Sequence, residues 1–69
     1  MKVSARNTLA GTVASIKPGE INAEVVITLP GGAKITSVIT LDALTDLKLE
    51  VGSKAFAIVK ASNVIIGVE

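Results

Sequence analysis

The sequence has no cysteine, histidine, tryptophan or tyrosine, and a single phenylalanine, Phe56. Without Cys no disulfide braces the fold, and without Cys or His the ordinary zinc ligand sets are missing. Loss of His, Cys and Tyr also removes the usual acid–base and nucleophile pairings, leaving carboxylates, lysines and hydroxyls. Among the carboxylates, Asp42 and Asp46 stand one helical turn apart. That spacing suits a solvated helix face, and Asp42 near a helix start is favoured by the macrodipole alone. The chain is therefore not expected to be an enzyme. No loop carries enough carboxylates to surround Ca²⁺ or Mg²⁺. Seven cations against six anions give a net charge of +1, too small a surplus to track a polyanion by counterion release. The longest apolar runs are only a few residues, so no membrane span is expected. Arg6, Asn7 and Thr8 interrupt any leader-like stretch near the N-terminus.

What is present is apolar surface in a short chain. Sixty-nine residues make one domain, 1–69, of which 49% is apolar. A domain this small buries a modest fraction of its surface alone and ordinarily leans on disulfides, a metal or association. With the first two removed, association remains, and a homo-oligomer is expected whose interfaces complete the core.

The pattern is that of strands. From Glu20 to Leu29, Ile21, Ala23, Val25, Ile27 and Leu29 fall on one face and Glu20, Asn22, Glu24 and Thr28 on the other, the period of a half-buried strand. Pro30-Gly31-Gly32 ends it, and Ala33 to Thr40 alternates again, giving a hairpin. Upstream, Leu9 to Ile16 reads as a strand in which Leu9, Gly11 and Val13 share a face. Ile16 is out of phase, which predicts a bulge near Ala14-Ser15. Gly11 within that strand fits a tight bend of a small barrel, and Lys17-Pro18-Gly19 reads as a turn. Leu41, Leu44 and Leu47 recur at helical spacing behind Thr40 as N-cap, predicting a short helix that ends near Lys48. Lys54 to Lys60 and Val64 to Val68 read as the last two strands, joined by Ala61-Ser62-Asn63. The expected fold is all-β: an OB-like five-stranded barrel with a short helix between its third and fourth strands.

Many barrels of this kind bind single-stranded nucleic acid by stacking bases on aromatics above a basic groove. A lone Phe56 offers no such platform and reads as a core or interface residue, so nucleic-acid binding stands only as an alternative, beside a purely structural oligomer. The remaining chemistry is a set of donors at turns and strand ends: Ser4-Ala5-Arg6-Asn7 before the first strand, Thr40 closing the third, and Lys60-Ala61-Ser62-Asn63 after the fourth. Arg presents a fork that fits an oxyanion edge, Lys a point charge, and hydroxyls and backbone N–H groups the other directional bonds. Each also has a plain structural use. Ser4 and Asn7 shape a turn, Thr40 caps a helix, and Lys60 is a solvated strand-end cation.

These segments carry a resemblance. Ser4-Ala5-Arg6-Asn7, Leu9-Ala10-Gly11-Thr12-Val13, Asn22-Ala23-Glu24-Val25, Gly31-Gly32, Ile35-Thr36-Ser37-Val38-Ile39-Thr40 and Val59-Lys60-Ala61-Ser62 resemble, in order and spacing, the molybdenum-pterin-binding (Mop, molbindin) family over essentially the whole chain. The resemblance implies a module that binds molybdate, with tungstate as surrogate. Stand-alone members are cytoplasmic hexamers, trimers of dimers, that store molybdate for molybdenum homeostasis and hold it between subunits. It places binding roles on Ser4, Ala5, Arg6 and Asn7, on Thr40, and on Lys60, Ala61 (through its backbone N–H) and Ser62. Ala43 stands where some relatives carry a Ser, which implies a missing hydroxyl donor or a backbone contact in its place. Donors so far apart in sequence are expected to converge only when one subunit's Arg6 meets another's Lys60. Selectivity against sulfate would rest on cavity size, and phosphate would differ by its proton, which an all-donor site does not accept. No aromatic is available to stack a pterin.

Overall fold

Period-two alternation builds four antiparallel strands in the computed structural model, which describes residues 1–69. They are β1 (Asn7–Pro18), β2 (Asn22–Thr28), β3 (Lys34–Thr40) and β4 (Lys54–Val59), with one helix, α1 (Leu41–Asp46), between β3 and β4. The sheet order is β3-β2-β1-β4, so β1 and β2 are central and β3 and β4 are its edges. Its inner face carries Val13, Ala23, Val25, Ile27 and Ala57, the five buried residues. Ile16, Leu29, Ile35, Ile39, Leu44, Leu49 and Ala55 pack around that core.

The phase break in the first strand is a bulge. Val13 pairs with Ile27 but Ser15 pairs with Val26, so the register shifts at Ala14. One extra residue returns Ile16 to the inner face, which a regular strand would have turned outward. Gly11 is required by space. A Cβ there would lie 2.5 Å from Ile27 Cγ2 and 2.6 Å from the Thr28 carbonyl oxygen, and the second of these is backbone that cannot step aside. Gly11→Ala is expected to destabilise the fold by about 1–3 kcal/mol, the usual range for overpacking. Thermal unfolding at fixed protein concentration checks it, with a fall in midpoint on the order of 10 °C.

The helix runs Leu41–Asp46 with Leu47 as its C-cap and Lys48 next at φ +52°, so it ends near Lys48 as expected. Other expectations are corrected. Of the expected leucine stripe, Leu41 and Leu44 are half-buried and Leu47 is exposed. Ile21 precedes β2 and is exposed rather than sharing its inner face. Phe56, expected to be a core or interface residue, is 54% exposed, pairs with Ala10 and lines an apolar cavity, which leaves the interface half of that expectation.

The fifth strand does not form within one chain. After a 3₁₀ turn at Ala61–Asn63, Val64 to Glu69 has no sheet partner, and Ile65, Ile66 and Val68 are 92%, 83% and 94% exposed. The alternation that predicts a strand there is present, but an isolated strand has no ladder to satisfy its backbone groups. The chain exposes 5519 Å², whereas a folded monomer of 7.0 kDa ordinarily exposes about 4,000 Å². Thirteen large hydrophobic side chains, among them Ile21, Val38, Leu47, Phe56 and Ile58, are exposed. No helix is long and apolar enough to cross a membrane.

Candidate functional site

The ladder between β1 and β4 decides which donors meet. Its last rung is Asn7 opposite Val59. Arg6 and Lys60 are the next residues outward from that rung, then Ala5 and Ala61, then Ser4 and Ser62. The two donor segments therefore leave the same corner of the sheet side by side. The backbones that carry Arg6 and Lys60 thus start from one corner of a single chain, nearer together than their places in the sequence suggest. Register between strands 52 residues apart cannot be seen in a sequence.

Asn7 ties the corner. Its side-chain Nδ2 donates to the Val59 carbonyl oxygen at 3.2 Å, in a half-buried setting. Arg6, Lys60, Ser4, Ala61 and Ser62 are exposed and Ala5 is half-buried. In the 3₁₀ turn the first internal bond runs from the Asn63 N–H to the Lys60 carbonyl. The N–H groups of Ala61 and Ser62, ahead of it, have no acceptor inside the turn, as the opening residues of any helical turn do not. The corner thus offers a guanidinium, an ammonium, two serine hydroxyls and outward N–H groups, all hydrogen-bond donors to an oxyanion.

Thr40 lies elsewhere. It pairs with Asn22, and the neighbouring Ala23 pairs with Pro18, at the far end of β1 from Asn7. The contour of β1 between those ends is about 36 Å at strand rise. Thr40 is exposed, and its Oγ1 accepts from the Ala43 N–H at 3.0 Å as N-cap of α1. A hydroxyl that accepts there keeps its own proton to donate outward. The Leu41 N–H, donating to the Ile21 carbonyl at 3.0 Å, fixes this helix start to the end of the sheet. The Ala43 N–H is given to Thr40 within the single chain.

A segregation of charge along the chain, which includes the corner residues Arg6 and Lys60, was readable in the sequence. Residues 1–19 hold Lys2, Arg6 and Lys17 and no acid, and residues 51–68 hold Lys54 and Lys60 and no acid. A net charge of +1 conceals this, because the acids sit in the middle of the chain and at Glu69. A second feature was not readable. Between the β3 and β4 edges runs an apolar cavity of about 370 Å³, lined by Val25, Ile27, Ile39, Leu49, Ala55 and Ile58 among others.

A family model for the TOBE domain matches residues 3–66. A probable molybdenum-pterin-binding protein of Haemophilus influenzae is 51% identical over 69 residues, the whole of both chains. The chain belongs to the TOBE domain family, among the molybdenum-pterin-binding proteins. Solved relatives have the same fold. MopII from Clostridium pasteurianum, 43% identical, superposes with a TM-score of 0.92 over 97% of this chain and 100% of its own. The cytoplasmic molybdate-binding protein ModG, solved with molybdate bound and 51% identical, superposes at 0.96 over 100% of this chain and 49% of its own length. The OB-like fold expected for this family is thus present, and the strands of one chain number four.

Proposed function

We propose that this chain binds molybdate, and tungstate as its surrogate, in sites between subunits, and serves intracellular storage and homeostasis of molybdenum. The single observation that carries the reading is the placement of the donors. Ser4, Arg6, Lys60, Ala61 and Ser62 share one corner, while Thr40 projects from the opposite end of β1. A tetrahedral dianion held from all sides by these groups needs the corner of one subunit and the Thr40 of another. The molybdate-bound ModG relative and the molybdenum-pterin-binding names of the curated relatives support the ligand. The cytoplasmic description of ModG supports the compartment.

Assembly follows from the unmet apolar surface. Two sheet edges flank an apolar cavity, and Val64, Ile66 and Val68 form one apolar face of an exposed, unpaired segment. We infer that this segment from one subunit lies between the β3 and β4 edges of another, completing a five-stranded barrel in each and burying apolar area about the size of a standard interface. Such pairs would be the dimers of a trimer of dimers. The protein acts by binding rather than by catalysis. The corner supplies no aromatic on which a pterin could stack, since the sole one, Phe56, lies within β4 opposite Ala10.

Calorimetric titration with molybdate, tungstate and sulfate tests the ligand. Micromolar or tighter binding of the first two with much weaker sulfate is expected on size, since all three are tetrahedral dianions. Absence of molybdate binding contradicts the proposal.

A further inference from the structure

We propose that Asn7 is a positioning residue, whose amide bond to the Val59 carbonyl sets the gap between Arg6 and Lys60 and with it the size of oxyanion the corner admits. The inference rests on the oxyanion reading above. Three hydrogen bonds in the chain involve side chains, and two of them are local, from Ala43 N–H to Thr40 and from Glu50 N–H to Ser53. The third, from Asn7 Nδ2 to Val59, joins residues 52 apart. It lies on the last rung of the β1–β4 ladder, and none of the turn, loop or cap hydrogen bonds involves residues 1–6.

A terminal rung is where a ladder frays. Here it must hold two cation-bearing residues side by side with no acid in either flanking segment. Like charges at a rung's end push the strands apart. Asn7 opposes that with a bond shielded by its half-burial. Its Nδ2 is engaged within the chain and its Oδ1 is an acceptor that repels an anion, so it suits tying better than ligation. A preset gap spares the anion the cost of ordering the corner. It also resists closing onto a smaller dianion, which is what discrimination by size requires. A loosened corner would still find sulfate, by closing further.

The test uses Asn7→Leu, which keeps the volume and removes the donor, with Asn7→Ser as second variant, whose side chain is too short to span the rung. The assembled protein is titrated with molybdate and with sulfate by calorimetry, and its mass is measured without anion. Molybdate affinity is expected to fall about tenfold, the worth of one lost hydrogen bond. Sulfate affinity should change much less, so the ratio of the two shrinks while the assembly stays whole. Equal loss for both anions would make Asn7 a direct ligand and overturn the proposal. Unchanged affinities with a lowered melting point, or failure of both variants to assemble, would make it a structural tie only. If Arg6→Ala and Lys60→Ala leave molybdate binding intact, the oxyanion site itself is misplaced, a failure distinct from any of these.

Discussion

A chain ending at Asn63 is expected not to assemble. The removed segment carries Val64, Ile65, Ile66 and Val68, all exposed in the single chain. Burying side chains of this kind contributes about 1.5–3 kcal/mol each. Even after the losses that accompany association, their removal should weaken assembly by more than about a thousandfold. Light scattering coupled to size exclusion reads this as a shift to the mass of one chain. The strand period supplies an internal control. Val64, Ile66 and Val68 alternate with Ile65 and Gly67, so one face enters the cavity and the other does not. Ile66→Lys should disrupt assembly nearly as fully as truncation, and Ile65→Lys far less. Equal effects of the two lysines would mean that the segment does not bind as a strand. A truncated chain that assembles like the full one would remove it from the interface altogether.

Arg6→Ala and Lys60→Ala are each expected to weaken molybdate binding by about ten- to a hundredfold, the usual worth of a hydrogen bond to a charged group. The effect on the protein without anion should have the opposite sign. The two cations flank the last rung of the same ladder, and in segments free of carboxylates nothing offsets their repulsion until the anion arrives. Removing one should leave the melting temperature of the anion-free assembly unchanged or slightly raised, and should shrink the stabilisation that molybdate confers. The double variant should cost less than the sum of the two, because both residues act on one ligand. A variant that loses binding and stability together would instead mark its residue as part of the fold. Unchanged affinity in both would take them out of the site.

Local structure was largely legible in the sequence. The alternation from Glu20 to Thr40 marks the hairpin of β2 and β3, and the phase slip at Ile16 marks the bulge at Ala14. Thr40 was readable as an N-cap, whereas Gly11, read as a tight bend, proves to be a place where chains crowd. Pairing between distant strands was not. The rung between Asn7 and Val59 depends on the closure of β4 against β1, so the shared corner from which Arg6 and Lys60 start appears only in the fold. The leucine spacing marks the helix, of which Leu41 and Leu44 are half-buried while Leu47, its C-cap, is exposed. The last strand is the instructive case. Its pattern fits a strand, but what it needs is a partner edge, and periodicity does not say whose edge that is.

Native mass spectrometry across a molybdate titration tests most directly the claim that molybdate binds only where subunits meet. The expected spectrum contains an oligomer, a hexamer if pairs associate in threes, that takes up molybdate in integral steps, and no molybdate on the single chain. Assembly should resist dissociation better as anions are added, since they bind only the associated form. Molybdate carried by a single chain, or an oligomer that takes up none, would contradict it.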